Sequence, residues 1–181
     1  MLPDVPDVRL AHTADLGADT LGAARALLHE VFAGDLDETD WEHALGGMHA
    51  LAFEDGELVG HAAVVQRRLL HGGRALRCGY VEGVGVRPDR QRRGLGTALM
   101  AALGRILRGA YDLGALGATD EAVRLYEAGG WRRWEGPLSA LTPAGVVATP
   151  DAAGAVYVLE LAVPLDRAGE LMCDWRDGDV W

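Results

Sequence analysis

The stretch Gln91-Arg92-Arg93-Gly94-Leu95-Gly96 lies between a predicted strand, which ends at Val86, and a predicted helix over residues 94–110. Backbone N–H groups at a helix N-terminus point towards one place, where the helix dipole favours an anion. Glycines let the backbone approach a phosphate closely, because they carry no Cβ. The stretch therefore predicts a pyrophosphate-binding site.

The charge around this stretch has the opposite sign to that of the whole chain. Arg90, Arg92 and Arg93 flank the glycines, whereas the sequence has a net charge of −10. The stretch is not a P-loop, because the Lys and Ser/Thr of that motif are missing, and its glycines do not match the dinucleotide fingerprint. A glycine-rich helix start with solvated arginines is the alternative interpretation.

Length and composition suit a single globular domain spanning residues 1–181, with 49% hydrophobic residues. No apolar run reaches the roughly 18 residues of a membrane-spanning helix, and the acidic, proline-containing start Met1–Asp4 does not resemble a signal peptide. An acidic surface repels nucleic acid. We therefore expect a cytoplasmic protein that binds neither nucleic acid nor membranes.

The side chains that bind metals or form disulfides are sparse. The two cysteines, Cys78 and Cys173, indicate no disulfide framework, and no CxxC or HExxH pattern predicts a metal site. All 17 basic residues are Arg. The excess of acids either keeps the protein soluble or indicates a cationic substrate, and the positions of the acids must distinguish the two.

Periodicity and turn residues predict the element order β-α-β-β-β-α-β-α-β-β, an α/β (α+β) protein with an antiparallel meander in its first half. Asp55-Gly56 predicts a hairpin turn. The acidic residues 34–42 form either a loop or a short helix. The predicted strands cover residues 7–11, 49–53, 57–70, 74–86, 111–116, 131–134 and 155–163, and the predicted helices cover 21–31, 94–110 and 121–128.

Gln91, Gly94 and Gly96 after a strand resemble the acetyl-CoA signature of the GNAT superfamily, whose element order also fits most of the chain. The resemblance implies the GNAT fold, a central mixed and mostly antiparallel sheet flanked by helices. It also implies acetyl-CoA as co-substrate, coenzyme A as product and no metal. The residues that would hold acetyl-CoA are Val84, Val86, Gln91, Arg92, Arg93, Gly94, Gly96 and Thr97.

Residues 40–43, 45–51, 76–84 and 170–176, together with the final Trp181, resemble aminoglycoside 2′-N-acetyltransferases over nearly the whole length. This resemblance implies direct attack of the 2′-amine of an aminoglycoside on the thioester. It also implies a homodimer and a C-terminal tail, about residues 170–181, that completes the substrate site.

The same resemblance implies catalytic roles for residues in the strand that ends at Val86. Gly83 and Gly85 are consistent with a bulge, so the N–H of Val84 would face the acetyl carbonyl oxygen. Glu82 would act as a base through a water molecule. The alternatives are that the glycines only relieve packing and that Glu82 is a surface carboxylate.

Tyr126 lies in a segment similar to the one whose tyrosine protonates the departing CoA sulfur in GNAT enzymes. A phenol with a pKa near ~10 keeps its proton at neutral pH and can donate it. The alternative is a packing role. Trp181 is expected to contribute to catalysis through its carboxylate.

Acids are expected to recognise a cationic acceptor. The resemblance assigns this role to Asp35, Asp151, Asp179 and the Trp181 carboxylate, beside Glu82 and Gly83. For Asp37, Glu38 and Asp177 we expect simple solvation. Trp41, Trp175 and Trp181 are expected to anchor the two acidic regions.

Two departures from the family pattern bear on the acceptor. The loop over residues 150–154 keeps only Asp151 as an acid and has Ala152 beside it, and Gly117 stands where a hydroxyl residue is expected. A housekeeping acetyltransferase of another amino sugar, polyamine or thiol-linked metabolite stays open. A non-catalytic acetyl-CoA-binding module is a further alternative, against which both Glu82 and Tyr126 argue.

Overall fold

The computed structural model describes residues 7–181, so the N-terminal segment Met1–Asp4 discussed above lies outside the described residues. The chain divides into two compact units. The first comprises Met1–Val65 and Glu82–Arg105, and the second comprises Gln66–Val81 and Ile106–Trp181. The prediction of a single domain stays a prediction.

The helices are α1 (Ala18–Val31), α2 (Glu38–His43), α3 (Leu95–Ala110) and α4 (Val123–Ala128). The strands are β1 (Asp7–His12), β2 (Met48–Glu54), β3 (Glu57–His71), β4 (Arg74–Val86), β5 (Leu113–Gly117), β6 (Arg132–Arg133), β7 (Leu138–Thr142), β8 (Gly145–Ala148), β9 (Val156–Glu160) and β10 (Leu171–Cys173). Within residues 7–181 no helix is long and apolar enough to cross a membrane.

In the first unit β1, β2 and the beginning of β3 form an antiparallel meander, as predicted. The turn between β2 and β3 has positive φ at both central residues, 50° at Asp55 and 83° at Gly56, as the Asp-Gly signal requires. The apolar stripe of α1 packs on this meander. Together with residues of α2 they form a hydrophobic core cluster, whose buried members are Ala24, Leu27, Leu28, Trp41, Ala44, Leu51 and Ala63.

The acidic stretch over residues 34–42 forms a short helix, α2, because its own acids cap it. The side chain of Asp37 accepts from the N–H of Asp40, and the side chain of Asp40 accepts from the N–H of Asp37. Glu38 forms an ion pair with Arg25 of α1. Asp37 and Glu38 are exposed, as predicted for solvated acids, and in addition they stabilise local structure.

The second unit contains the strand order β6-β9-β5-β4-β3-β10-β7-β8. Neighbours are antiparallel except for β4 with β5 and β10 with β7, which are parallel. This confirms the predicted mixed, mostly antiparallel sheet. The turn between β3 and β4 has positive φ at both Gly72 and Gly73, 56° and 75°.

The predicted element order lacked three strands, β7, β8 and β10. All four residues of β8 are exposed, so no alternation of apolar and polar side chains marks that strand. The three residues of β10 form a strand only because β3 and β7 pair with them on either side. The strand predicted over residues 131–134 is shorter in the structure, where only Arg132–Arg133 pair with β9.

Candidate active site

The backbone of β4 departs from the extended conformation at Gly83, where φ is +55°. The carbonyl oxygen of Gly83 accepts a hydrogen bond from Nδ1 of His61, at 2.7 Å. Gly85 has a different reason to be glycine, because a Cβ there would lie 2.9 Å from Cδ2 of Leu28. Close packing thus explains Gly85, and an unusual backbone conformation explains Gly83. The neighbouring Glu82 and Val84 are half-buried.

The predicted phosphate loop connects β4 to α3 in the first unit. Its start is held by Gln91, whose Nε2 donates to the carbonyl oxygen of Val86 at 3.1 Å. Two residues have positive φ, Arg92 at 59° and Gly94 at 86°. The first helical acceptor is the Gly94 carbonyl, which receives the N–H of Ala98 at 2.9 Å.

The N–H groups of Leu95, Gly96 and Thr97 precede that first helical bond, so the helix leaves them as donors at its N-terminus. Arg92 and Arg93 are exposed beside them. Arg90 contributes less positive charge than the sequence implies, because Glu54 lies 2.9 Å from its Nε and Asp89 lies 2.9 Å from its NH1. Glu54 also lies 4.0 Å from NH1 of Arg93, so the loop has the geometry of an anion site whose positive charge comes from Arg92 and, in part, from Arg93.

Tyr126 is buried in α4 of the second unit, with its ring 6.3 Å from that of Trp131 in an edge-on arrangement. Burial raises the pKa of Tyr126 to about 12. The phenol therefore keeps its proton at any pH at which a folded enzyme works. Gly129 and Gly130 end the helix as predicted, with φ of +88° at Gly130.

The tail is fixed through Trp181, which is 6% exposed. Its indole Nε1 donates to Oγ1 of Thr149 at 2.8 Å, and its backbone N–H donates to Oδ1 of Asp179 at 3.0 Å. Arg176 donates from NH2 to the Trp181 oxygen at 3.1 Å and from Nε to the Asp179 carbonyl at 2.6 Å. The expectation of anchoring is confirmed for Trp181, whereas Trp175 is 48% exposed.

The buried Arg67 and Tyr80 contact Asp174 and Arg176 of the tail, which are partly exposed, and we call these four residues the arginine cluster. The guanidinium carbons of Arg67 and Arg176 lie 4.7 and 5.3 Å from the centre of the Tyr80 ring. Arg67, 5% exposed, donates from Nε to Oδ1 of Asp174 at 2.8 Å. The sequence patterns did not indicate this cluster.

The remaining predicted acceptor residues separate into two groups. In the second unit Gly117 adjoins the tail, because a Cβ there would lie 3.8 Å from the carbonyl carbon and oxygen of Trp181. Asp151 is exposed in a single 3₁₀ turn, Pro150–Ala152, that follows Thr149. In the first unit Asp35 is exposed after α1, and its N–H donates to the Phe32 carbonyl at 2.9 Å.

Among residues 7–181 no group of three or more His, Cys, Asp or Glu side chains lies together as a metal site. Sequence reasoning also missed two fully buried histidines, His49 on β2 and His61 on β3. Their spacing along the chain matches no metal or catalytic motif, so no local signal could have found them.

The comparisons with known proteins agree with this geometry. The model of the acetyltransferase (GNAT) family matches residues 21–131. An aminoglycoside 2′-N-acetyltransferase of Mycolicibacterium fortuitum is 54% identical over 177 residues, which cover 96% of this chain and 91% of that relative.

Two solved structures are similar in fold. Eis1 from Mycobacterium abscessus has a TM-score of 0.60 and 26% identity over 75% of this chain and 33% of its own. ElaA from Escherichia coli has a TM-score of 0.61 and 17% identity over 86% of this chain and 100% of its own. The chain belongs to the GNAT acetyltransferase family and, within it, to the family of the aminoglycoside 2′-N-acetyltransferases.

Proposed function

We propose that this chain transfers the acetyl group of acetyl-CoA to the 2′-amino group of aminoglycosides. The observation that carries the proposal is the 54% identity to an aminoglycoside 2′-N-acetyltransferase, which extends over 96% of the chain. Acetyltransferases of the GNAT family use acetyl-CoA. The net charge of −10 suits a polycationic acceptor.

The donor is proposed to bind to the first unit. The N–H groups of Gly96 and Thr97, with Arg92 and Arg93, would hold the pyrophosphate, and Gln91 holds the loop in shape through its bond to the Val86 carbonyl. The backbone of β4 from Val84 to Val86 would pair with the pantetheine arm. Because the side chains of Arg92 and Arg93 are exposed, phosphate binding should weaken as salt concentration rises.

The proposed chemistry is direct attack of the free amine on the thioester carbonyl. Glu82 would accept the proton of the attacking nitrogen through water, and the N–H of Val84 would stabilise the oxyanion. Collapse of the tetrahedral intermediate breaks the C–S bond and releases the CoA thiolate. A thiol has a pKa near ~8.5, so this thiolate needs only modest help to leave.

Tyr126 is proposed to give that help. With its pKa raised to about 12, the phenol is a weaker acid than the thiol that it would protonate. Its contribution is therefore a hydrogen bond to the sulfur that becomes a proton transfer only as the C–S bond breaks. Tyr126→Phe should lower kcat about 100-fold and leave the acetyl-CoA KM nearly unchanged, since only the leaving-group interaction is lost. An unchanged kcat would remove the assignment.

Asp35, Asp151, Asp179 and the backbone oxygen of Trp181 are proposed to bind the ammonium groups of the acceptor. The bond from the Trp181 N–H to Asp179 supports a tail held in one conformation, which lowers the entropy cost of binding. Removal of Trp181 should raise the acceptor KM. An unchanged acceptor KM would exclude Trp181 as a ligand of the acceptor.

Another amino sugar or polyamine is the second candidate acceptor. The loop over 150–154 offers only Asp151, and Gly117 supplies no hydroxyl beside Trp181. Both features reduce the polar contacts available to an aminoglycoside on this side of the tail.

We further propose a cytoplasmic homodimer. The family resemblance is the main support, and the apolar side chains of the edge strand β8 add to it, because Val146 and Val147 are 57% and 48% exposed. Light scattering at micromolar concentration tests this. A monomer at all concentrations would exclude the dimer.

The decisive test of the activity measures release of the CoA thiol with two matched aminoglycosides, one with a 2′-amine and the other with a 2′-hydroxyl. Turnover should require the 2′-amine. Equal turnover of both compounds would contradict the position of transfer. No turnover of either would favour the polyamine acceptor or a non-catalytic module.

A further inference from the structure

A chain of hydrogen bonds runs through the interior of the first unit and ends on the backbone of β4. We call it the histidine chain, and it consists of Thr13, His49, His61 and the Gly83 carbonyl. Oγ1 of Thr13 lies 2.8 Å from Nε2 of His49, Nδ1 of His49 lies 2.9 Å from Nε2 of His61, and Nδ1 of His61 lies 2.7 Å from the Gly83 oxygen. The backbone N–H of Gly46 donates to Thr13 Oγ1 at 2.9 Å.

The Gly83 end of the histidine chain fixes the positions of the imidazole protons. A carbonyl oxygen can only accept, so Nδ1 of His61 carries a proton and its Nε2 accepts from His49. Nδ1 of His49 is then the donor, and its Nε2 is left as an acceptor for the hydroxyl proton of Thr13, which has the Gly47 carbonyl at 3.2 Å as a second possible acceptor. The N–H of Gly46 can only donate, which agrees with the direction at the other end. Both imidazole donors therefore point towards Gly83.

The surroundings of the two imidazoles keep both of them neutral. His49 and His61 are fully buried, and Trp41 packs beside them with ring centroids 6.5 and 6.1 Å away. Burial lowers the pKa of each histidine to about 4. Neutral, aligned donors polarise one another, which strengthens the last bond in the series.

The acceptor of that last bond belongs to the peptide group that links Gly83 to Val84. No peptide bond among the described residues is cis, so the N–H of Val84 points away from the Gly83 carbonyl oxygen. Fixing the carbonyl on His61 therefore fixes the direction of the Val84 N–H. A hydrogen bond to the carbonyl also withdraws electron density from the amide nitrogen and makes its N–H a better donor.

The positive φ of Gly83 makes such fixation necessary. A glycine at φ +55° has many other conformations available, and most would turn the Val84 N–H elsewhere. Leu28 and His61 surround the Cα of Gly83, because a Cβ there would lie 3.0 Å from Leu28 Cδ1 and 3.4 Å from His61 Cε1. Packing thus limits the position of Gly83, and the imidazole selects the orientation of the peptide.

We propose that His61, supported by His49 and Thr13, is a positioning residue that aims the Val84 N–H at the acetyl carbonyl oxygen. The proposal rests on the proposed acetyl transfer, since it assigns the support of the oxyanion donor in that reaction. It concerns the peptide group of β4 and requires no proton transfer along the histidine chain.

The first experiment requires no activity. In protein labelled with ¹⁵N, the imidazole nitrogen shifts at pH 7 should show the proton on Nδ1 of both His49 and His61 and on neither Nε2. In His61→Leu the ¹⁵N shift of the Val84 amide should change markedly, because the bond to the Gly83 carbonyl is lost. A proton on Nε2 of His61, or an unmoved Val84 shift, would overturn the proposal.

The second experiment separates positioning from stability through kinetics. His61→Leu should lower kcat about 30-fold, which is less than the hundredfold or more lost when an oxyanion donor is removed outright. The acetyl-CoA KM should change less than about twofold, because the phosphate loop is untouched. His61→Asn keeps an N–H donor for the Gly83 carbonyl and should recover at least a third of the kcat.

His71→Gln is the control for loss of an imidazole hydrogen bond to a backbone carbonyl, at a half-buried position of the same strand. Nδ1 of His71 also bonds to a backbone carbonyl, that of Glu170, at 2.8 Å. His71 lies at the end of β3 and does not belong to the histidine chain. This variant should keep its kcat. An equal loss of kcat in His71→Gln and His61→Leu would show that the effect is general destabilisation and would overturn the proposal.

Thr13→Val keeps the proposal testable if His61→Leu does not fold. It removes the hydroxyl proton at the far end of the histidine chain and should lower kcat about threefold with a smaller shift of the Val84 amide. A kcat and a Val84 shift both equal to those of the wild type would contradict the proposal. If the wild type turns over no aminoglycoside, the proposed function fails, while the imidazole and amide shifts still decide whether His61 orients the peptide.

Discussion

Each unit of the protein contains a polar network, built on fully buried imidazoles in the first unit and only partly buried in the second, and the two networks differ in charge. The histidine chain of the first unit contains neutral groups and ends on a backbone carbonyl. The arginine cluster of the second unit contains full charges, with Arg67 paired to Asp174 and two guanidinium groups near the ring of Tyr80. The first fixes a peptide dipole, and the second fixes the chain segment that ends at Trp181.

The difference follows from what each network must hold. A neutral chain costs little desolvation and can direct a single N–H, which suits stabilisation of charge that develops during a reaction. A buried charged pair is expensive to desolvate, but each partner binds strongly and in a defined direction. The arginine cluster can therefore hold three backbone oxygens of the tail, those of Asp174, Asp179 and Trp181.

Loss of one charge in the arginine cluster should have the largest effect on stability. Asp174→Asn keeps the shape of the side chain but leaves the buried Arg67 without a counter-charge. We expect the free energy of unfolding to fall by about 3 kcal/mol, the lower end for a buried pair, because Asp174 is 37% exposed. Urea unfolding measures this.

The matched control is an ion pair in the same unit that is more exposed. Arg167 and Glu135 lie 2.7 Å apart and are 32% and 60% exposed, so Glu135→Gln should cost less than about 1 kcal/mol. The double variant Arg67→Met with Asp174→Asn should recover most of the loss. Similar costs for Asp174→Asn and Glu135→Gln would mean that the arginine cluster is no more than a surface pair.

The histidine chain should make the free energy of unfolding depend on pH. The pKa of His61 is lowered from 6.5 to about 4, so the unfolded chain binds more protons than the folded one between these values. Stability therefore falls as the pH falls through this window, and the loss is complete below about pH 4. Between pH 7 and 4.5 the contribution of His61 should fall by about 2 kcal/mol.

The measurement is the difference between wild type and His61→Asn in urea unfolding at the two pH values, because the carboxylates titrate in both proteins. The variant should lose less stability on acidification than the wild type. Parallel losses in the two proteins would show that His61 becomes protonated without cost and would contradict the neutral histidine chain.

Local signals account for the parts of the fold that were predicted. The strand predicted over residues 74–86 coincides with β4, because Gly72-Gly73 and Pro88 delimit it in the sequence. A loop over residues 91–96 was predicted from signals of the same local kind, because a strand end, two glycines and a helix start are adjacent in the sequence. The shortest strands were missed because β10 depends on partners that the sequence does not place beside it.

The supporting residues of the site depend on distant partners in the same way. His61 meets a carbonyl 22 positions away, and the indole of Trp181 meets a hydroxyl 32 positions away. The sequence around a histidine on an apolar strand is the same whether its side chain only packs in the core or also hydrogen-bonds a peptide group. Only the fold brings these pairs together, so sequence reasoning identified the residues proposed to react and missed those that hold them.

A smaller effect should follow from removal of the hydroxyl that holds the Trp181 indole. Thr149→Val leaves a buried N–H without its acceptor, so the free energy of unfolding should fall by about 1 kcal/mol. The acceptor KM should rise about threefold as the tail loosens, while the acetyl-CoA KM stays constant. Thr149→Ser keeps the hydroxyl and should behave as the wild type does. A change in the acetyl-CoA KM instead would contradict a role confined to the tail.

The smallest effect should come from Gly117, where space beside Trp181 is open. A Cβ there would lie at ordinary contact distance, 3.8 Å from the Trp181 oxygen and 4.0 Å from the Tyr80 hydroxyl, so Gly117→Ser should change stability by less than about 0.5 kcal/mol. The added hydroxyl offers one more polar contact to an amino sugar, which should lower the acceptor KM about twofold. Gly117→Ala adds the same Cβ without the hydroxyl and should leave the KM unchanged. Equal acceptor KM values for the Ser and Ala variants would show that the side chain at position 117 does not contact the acceptor.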